Sequence, residues 1–131
     1  MANILFVNEL GEGSHHVDIL SYAAAVASKI GHNCHFSVPV LERHAYRLQG
    51  QNFTVSQTPL MVLESSLRGS KQSPAALSDI LGDRGFCSKD ELVAIKKVWE
   101  NEFRLRKIEL IFCNYAPTVI QVARGKIPVV N

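Results

Sequence analysis

Short apolar runs alternate with a helical pattern at the start of the chain. Residues 4–7 read Ile-Leu-Phe-Val without a break, which is typical of a strand covered on both faces. After a turn-rich stretch at residues 8–14, apolar residues recur mostly at three- and four-residue steps from residue 17 to residue 30, which predicts an amphipathic helix. Lys29 and Gly31 are stop signals, and residues 35–38 predict a second strand closed by Pro39. The order predicts a βαβ unit with a right-handed crossover.

The middle of the chain has a weaker pattern. Residues 43–48 favour a short helix and residues 53–55 a third strand. Residues 58–73 carry Ser, Gly and Gln with little periodicity, which predicts a long loop with a helical turn near residues 60–63. Because loops of this length in compact domains are usually functional or mobile, we expect the same of this segment.

Clear signals return in the last part of the chain. Pro74 predicts the start of a short helix through residue 81, and residues 88–91 have the form of a capping box. The helix behind that box places Leu92, Ile95, Trp99 and Phe103 on one stripe. Residues 110–113 predict a buried strand, residues 117–124 a helix, and residues 127–130 the start of another strand. Together these elements predict one α/β domain over residues 1–131, a Rossmann-like doubly wound parallel sheet that ends on a fresh strand and therefore looks cut short.

Composition narrows the possible functions. The 47% hydrophobic and 20% charged content is ordinary for a globular domain. The net charge of +2 is spread along the chain, so the footprint of a nucleic-acid binder is missing. The chain has three cysteines, Cys34, Cys87 and Cys113, and none of them has CxxC or CxxH spacing. They therefore predict neither a disulfide framework nor a zinc site, and they favour a cytoplasmic location. The apolar start is too short for a signal peptide or a membrane span.

The candidate chemistry lies where two segments meet. In an open α/β sheet ligands bind beyond the carboxyl ends of the strands, where residues 8–16 and residues 114–117 should come together. Gly11 and Gly13 would let backbone approach a ligand. His15 and His16 stand at the mouth of this loop, and a histidine there can deprotonate a hydroxyl group near neutral pH. The residues alone leave open that both are polar helix-start residues facing water.

Several cofactor classes are excluded by missing motifs. A GxGxxG fingerprint would need glycine in place of His16, and no acidic residue closes the second strand, so nicotinamide and flavin are not expected. No Walker loop, GxSxG or HExxH occurs. His32, His35 and His44 have no partner at metal-ligand spacing, which indicates solvated or structural roles. We therefore expect neither a cofactor nor a metal.

The candidate segments also carry a family resemblance. Residues 10–17 (Leu-Gly-Glu-Gly-Ser-His-His-Val), followed by the alanine-rich residues 23–32, resemble the opening of GT-B fold glycosyltransferases, in particular bacterial UDP-glucuronosyl/UDP-glucosyltransferase-like enzymes. Residues 78–86, the helix with Trp99, residues 108–118 and residues 123–128 are similar to the same group. The resemblance spans nearly the whole chain but covers only the N-terminal, acceptor-binding domain of that family. It depends on the order and spacing of the segments rather than on one motif.

The resemblance implies a role for each candidate residue. His16 matches the acceptor-activating base of an inverting, metal-independent transferase. Gly11, Gly13, His15, Asn114 and Tyr115 would bind the acceptor. Asn114 stands where an aspartate is usual, and an amide can orient an imidazole without stabilising the imidazolium with a full charge. His15 replaces a common glycine with a bulky ring.

The resemblance also implies a missing partner domain, because the family holds its UDP-sugar mainly through a C-terminal domain. We expect a small-molecule acceptor, no transferase activity from this chain alone, and completion by a separate donor-binding chain or a homodimer. The alternative is a truncated, non-catalytic remnant that acts as a self-associating binding module. A flavodoxin-like or nucleotide-binding domain is a third hypothesis, which lacks a phosphate fingerprint. No nucleic-acid partner or membrane span is expected.

Overall fold

One parallel sheet organises the computed structural model, which describes residues 1–10, 13–59, 76, 81, 86 and 88–131. Five strands lie within those residues: β1 (Asn3–Asn8), β2 (Asn33–Val38), β3 (Thr54–Gln57), β4 (Leu110–Asn114) and β5 (Val129–Val130). Their order is β3-β2-β1-β4-β5 and all neighbours are parallel. The predicted Rossmann-like α/β fold is confirmed.

Helices cover the sheet in the described part of the chain. They are α1 (Ser14–Lys29), α2 (Leu41–Arg47), α3 (Lys89–Arg106) and α4 (Pro117–Ala123). Successive side chains of a strand point to opposite faces, so β1 supplies two separate cores. Ile4 and Phe6 pack with the buried face of α1, whereas Leu5 and Val7 pack with α3 and α4.

An aromatic ladder crosses the α1 side of the sheet. The ring of Phe6 stacks on Phe36 at a centroid distance of 5.2 Å and on Phe112 at 5.4 Å. Phe36 in turn contacts Phe53 at 5.2 Å. Since these rings come from neighbouring strands and from the residue before β3, they fix the strands laterally through side-chain packing as well as backbone hydrogen bonds.

Trp99 is the centre of the opposite core. It is fully buried, and Ile95 and Phe103 of the predicted α3 stripe are buried with it. The predicted cap is present in part, because the Ser88 hydroxyl accepts a hydrogen bond from the Glu91 amide at 3.4 Å. Helix α3 ends at Lys107, which adopts a left-handed conformation with φ of 51°.

Some predictions fall outside the described residues. These are most of the loop at 58–73, most of the helix at 74–81, and Cys87. The third strand lies at Thr54–Gln57, slightly later than the predicted 53–55. Cys34 and Cys113 are free and buried. None of the helices described here is long and apolar enough to cross a membrane.

Candidate functional site

The register of the sheet brings the two candidate segments to one rim. Strands β1 and β4 are neighbours, and Asn8 is paired with Asn114 at their carboxyl ends. The Asn8 side-chain amide donates a hydrogen bond to the Asn114 carbonyl at 2.9 Å, and Asn8 is fully buried. The loops that follow the two strands therefore start side by side.

His16 contacts Asn114 across this rim. Its Nδ1 lies 3.0 Å from Oδ1 of Asn114, and both side chains are half-buried. Because an amide oxygen can only accept, Nδ1 of His16 must carry the hydrogen of this bond. The neutral ring therefore keeps its lone pair on Nε2, which is the protonation pattern that a general base requires.

Two further rings lie against His16. The centroid of His15 is 4.0 Å from that of His16, and the ring of Tyr115 meets His16 edge-on at 5.1 Å. His15 and Tyr115 are exposed. The arrangement gives the rim an accessible aromatic wall with histidine nitrogens and a phenol, which suits a ring-bearing ligand with hydroxyl groups.

The backbone of Tyr115 connects the two loops. Its carbonyl accepts hydrogen bonds from the amides of Glu9 and Leu10 at 3.2 and 3.1 Å. Tyr115 has φ of 51°, a left-handed conformation that is uncommon for residues other than glycine. The double hydrogen bond gives a structural reason for this conformation, which in turn sets the ring of Tyr115 next to His16.

Gly13 is covered by a side chain. A Cβ atom placed on Gly13 would lie 2.6 Å from Cε1 of His15, so the imidazole occupies the space beside the glycine. Gly13 itself has φ of −72°, which any residue can adopt, so the nearby ring and not the backbone angle restricts this position. Gly11 lies outside the described residues.

Glu9 is a rim residue that sequence reasoning missed. Its side chain is only 6% exposed. One carboxylate oxygen accepts from the Thr118 hydroxyl and the Val119 amide, both at 2.7 Å, and the other accepts from the Thr118 amide at 3.0 Å. These amides belong to the first turn of α4, where no helical partner exists for them. The carboxylate therefore caps α4 and fills the anion-binding position at this helix terminus.

A hydrogen bond between Trp99 and Thr118 connects the Glu9 cap to the core. The Thr118 hydroxyl also accepts from Nε1 of Trp99 at 2.8 Å. Burial raises the pKa of Glu9, although the hydrogen bonds from Thr118 and Val119 oppose the shift. Burial, with a smaller contribution from Glu9, also raises the pKa of Cys113 to about 11, so this thiol stays protonated at neutral pH. The sequence signals for this cap are a glutamate directly after the first strand and a helix that begins with proline after a later strand. The two residues that form the contact, Glu9 and Thr118, lie 109 residues apart in the sequence.

Buried polar groups continue along the same rim. The Thr58 hydroxyl donates to the Asn8 carbonyl at 3.1 Å and lies 3.1 Å from the Ser37 hydroxyl. All three side chains are buried. Oδ1 of Asn8 is buried without a hydrogen-bond partner among the described residues. No cluster of three or more metal-ligating side chains occurs in the described part of the chain.

Comparison with solved structures identifies the fold. MurG from Acinetobacter baumannii matches with a TM-score of 0.64 at 14% identity, over 98% of this chain and 34% of MurG. UGT2 from Phytolacca americana, solved in complex with UDP-2fluoro-glucose and pterostilbene, matches with a TM-score of 0.63 at 12% identity, over 98% of this chain and 29% of UGT2. This chain is a GT-B glycosyltransferase-like domain in its fold. It spans about a third of the length of the solved structures that it matches.

The GT-B-like fold confirms the resemblance found in the sequence at the level of architecture. No protein-family model matches the chain, and no curated protein matches its sequence. The match covers about a third of each solved structure, which is consistent with one of the two domains of a GT-B fold. Within this GT-B-like domain the structure brings together five of the six predicted site residues: Gly13, His15, His16, Asn114 and Tyr115. Their roles stay predictions.

Proposed function

We propose that this domain is the acceptor-binding half of a UDP-sugar-dependent glycosyltransferase, with His16 as the acceptor-activating base. The observation that carries the proposal is the 3.0 Å contact between Nδ1 of His16 and Oδ1 of Asn114, at the carboxyl ends of two neighbouring strands. Ligands of open α/β sheets bind at such ends. The fold supports the proposal, because both matched structures are glycosyltransferases of similar architecture.

The proposed reaction uses the free nitrogen of His16. Nε2 takes the proton of an acceptor hydroxyl while that oxygen attacks the anomeric carbon of the UDP-sugar. The bond from that carbon to the UDP oxygen breaks, UDP leaves with the bonding electrons, and the configuration inverts. General-base assistance of this kind contributes roughly 10²- to 10⁴-fold to a rate. Asn114 orients the ring, and its amide has no net charge to stabilise the imidazolium that forms.

The donor site belongs to another domain in this proposal. Transfer requires donor and acceptor in attack geometry, and such positioning contributes ~7–11 kcal/mol. We therefore expect these 131 residues alone to bind a small-molecule acceptor without transferring sugar to it. A donor-binding domain would complete the cleft.

Acceptor binding is the direct test. The ¹⁵N-labelled protein is titrated with a panel of phenolic and aliphatic alcohols, and with UDP in parallel. We expect at least one alcohol to shift the Tyr115 amide and the His16 ring signals. His16→Ala should abolish the binding of that alcohol, because it removes the imidazole. His32→Ala is the matched control, since His32 lies before β2 at the opposite end of the sheet. Acceptor-induced shifts confined to that opposite end would overturn the assignment of the site.

Turnover is a separate test of the half-domain proposal. The protein is incubated with UDP-glucose or UDP-glucuronate and each acceptor, and released UDP is measured. We expect no release above that of His16→Ala. UDP release that requires His16 would refute the claim that the domain is inactive alone, while leaving the acceptor site intact.

A self-associating binding module is the second candidate, because α1 exposes an apolar stripe. Three residues of α1 and the C-cap residue that follows it are more than half exposed: Ile19, Tyr22, Val26 and Ile30. Steps of three and four residues place them on one helix face, and such patches often mark protein contacts. Sedimentation velocity with and without Val26→Lys tests this function. A concentration-dependent dimer that Val26→Lys dissociates would support it, and a monomer at all concentrations would exclude it.

A further inference from the structure

A cavity lies beside α4, among the residues that the structure describes. It has a volume of about 710 Å³, and its described lining comes from α3, from α4 and the residues after it, and from Leu81 and Phe86. This volume falls within the ~300–1,000 Å³ of pockets that hold small molecules. None of the rim residues His15, His16, Asn114 and Tyr115 lines it. It shares Thr118, which bonds to Glu9, with the network behind the rim, but none of the described residues proposed to bind or activate the acceptor lines it.

Apolar side chains form most of the cavity wall. They come from the first half of α3, from α4, and from the described residues before α3: Leu81, Phe86, Leu92, Pro117, Ile120 and Val122. Most of these side chains are only half-buried, so the wall is accessible to a ligand. An accessible concave apolar wall favours a compact apolar body, because burial of both surfaces removes them from water.

The charged residues of the described lining are all basic. Lys96, Arg124 and Lys126 line the cavity, and no acidic residue of the described chain does. Among the described residues, Glu100 balances part of this charge, because its carboxylate lies 2.8 Å from Nζ of Lys126 and 4.0 Å from Nζ of Lys96. Arg124 forms no ion pair with the part of the chain that the structure describes. The described lining of the cavity thus keeps a net positive charge, and the guanidinium of Arg124 is exposed.

We propose that this cavity binds an amphipathic organic anion. Its apolar ring system would lie against Leu92 and Ile120, and its carboxylate, sulfonate or phosphate would meet Arg124, whose planar fork of donors matches such groups. The concavity favours one small molecule over a membrane surface, because a bilayer would require protruding apolar side chains. The proposal is independent of the glycosyltransferase function, since it uses none of the residues assigned to that reaction.

A matched pair of fluorescent probes tests the proposal on the full chain. 8-Anilinonaphthalene-1-sulfonate and N-phenyl-1-naphthylamine have the same aromatic skeleton, and only the first carries a charge. We expect saturable one-to-one binding of the sulfonate, with amide shifts at Leu92, Ile120 and Arg124. Arg124→Gln should weaken sulfonate binding about three- to tenfold and leave the neutral probe within about twofold, because only the charged contact is removed.

Two further variants separate the site from general dye binding. Arg104→Gln is the matched control, because Arg104 is an exposed α3 residue outside the lining, and it should leave both probes unchanged. Ile120→Ser should weaken both probes by a similar factor, since it alters the apolar wall. Equal effects of Arg104→Gln and Arg124→Gln, or amide shifts confined to other elements, would overturn the proposal. So would Arg124-dependent binding to phosphatidylglycerol vesicles without binding of the soluble sulfonate, which would identify a membrane-docking face.

Discussion

Replacing Glu9 tests the structural basis of the candidate site. The carboxylate accepts hydrogen bonds from Thr118 N, Val119 N and Thr118 Oγ1, and it is almost fully buried. Glu9→Ala removes both acceptor oxygens, and with them all three hydrogen bonds, and leaves the first turn of α4 without its cap. Because the Glu9 backbone also bonds to Tyr115, loosening this segment should disturb the loops that hold His16 and Asn114 together.

The size of the effect follows from two opposing terms. Hydrogen bonds to a charged group contribute ~1.5–3 kcal/mol each. Desolvation of the buried carboxylate costs several kcal/mol, which is why burial raises the pKa of Glu9 in spite of its three donors. We expect Glu9→Ala to lower the free energy of unfolding by about 2–4 kcal/mol at neutral pH. Glu9→Gln keeps the shape and one acceptor oxygen but turns an NH2 donor toward the Thr118 amide, so its cost should lie below that of Glu9→Ala, at about 1–2 kcal/mol at pH 7.5.

The dependence on pH has a definite sign. A raised pKa means that folded Glu9 binds its proton more tightly than the unfolded residue, whose ordinary value is 4.5. The stabilisation that results is fully present below the unfolded pKa and is lost as pH rises through the folded pKa. The stability advantage of the wild type over Glu9→Gln should therefore shrink as pH rises from 4.5.

Urea unfolding at pH 4.5, 6.0 and 7.5 measures these differences. The chain has one tryptophan, and Trp99 bonds to the same Thr118, so its fluorescence reports on this region. Glu42→Gln is a control that removes an exposed carboxylate and should change stability by under about 0.5 kcal/mol. A cost of Glu9→Ala no larger than that of the control, or a wild-type advantage over Glu9→Gln that grows with pH, would refute the reasoning.

Three other changes test separate parts of the fold. His44 is fully buried, and its ring nitrogens have no partner among the described residues. Because burial lowers its pKa, the free energy of unfolding should fall as pH drops below 6.5. His44→Leu should therefore reduce the change of the urea midpoint between pH 7 and pH 5. Trp99→Phe removes the hydrogen bond to Thr118 and some core volume, and far-ultraviolet circular dichroism should show a loss of about 1–3 kcal/mol. Lys107→Gly relieves a left-handed backbone at the end of α3 and should raise stability by about 0.5–1 kcal/mol in thermal denaturation; a loss would contradict this assignment.

The elements that the sequence predicts well have strong local patterns. Residues 4–7 are apolar without a break because β1 is central in the sheet and covered on both faces. The stripe on α3 is regular because one helix face meets one core, and Ser88 marks its start through a local cap. Strand β3 was placed one residue too early at its start because it is a half-exposed edge strand with little apolar pattern.

The contacts of the candidate site also differ in how far the sequence predicts them. The proximity of His16 and Asn114 follows from a general rule, since both come directly after or close behind the ends of parallel strands. The cap made by Glu9 depends on a contact across most of the chain, which no local pattern encodes. The left-handed Tyr115 was also unpredictable, because no glycine marks the position and the conformation depends on amides from the other loop.

Among the described residues of this rim, charge rather than orientation is what the proposed catalysis lacks. The bond to Asn114 fixes the hydrogen on Nδ1 of His16 and leaves Nε2 free, as a base requires. Proton transfer would then create an imidazolium, and an amide oxygen stabilises that charge less than a carboxylate does. The rim does contain a carboxylate, but both oxygens of Glu9 are bonded to α4. In the proposed function, acceptor binding would depend on shape and hydrogen bonds that the described residues already form. Acceptor activation would also need a charge that those residues do not supply, so binding measurements are the more sensitive test of the proposal.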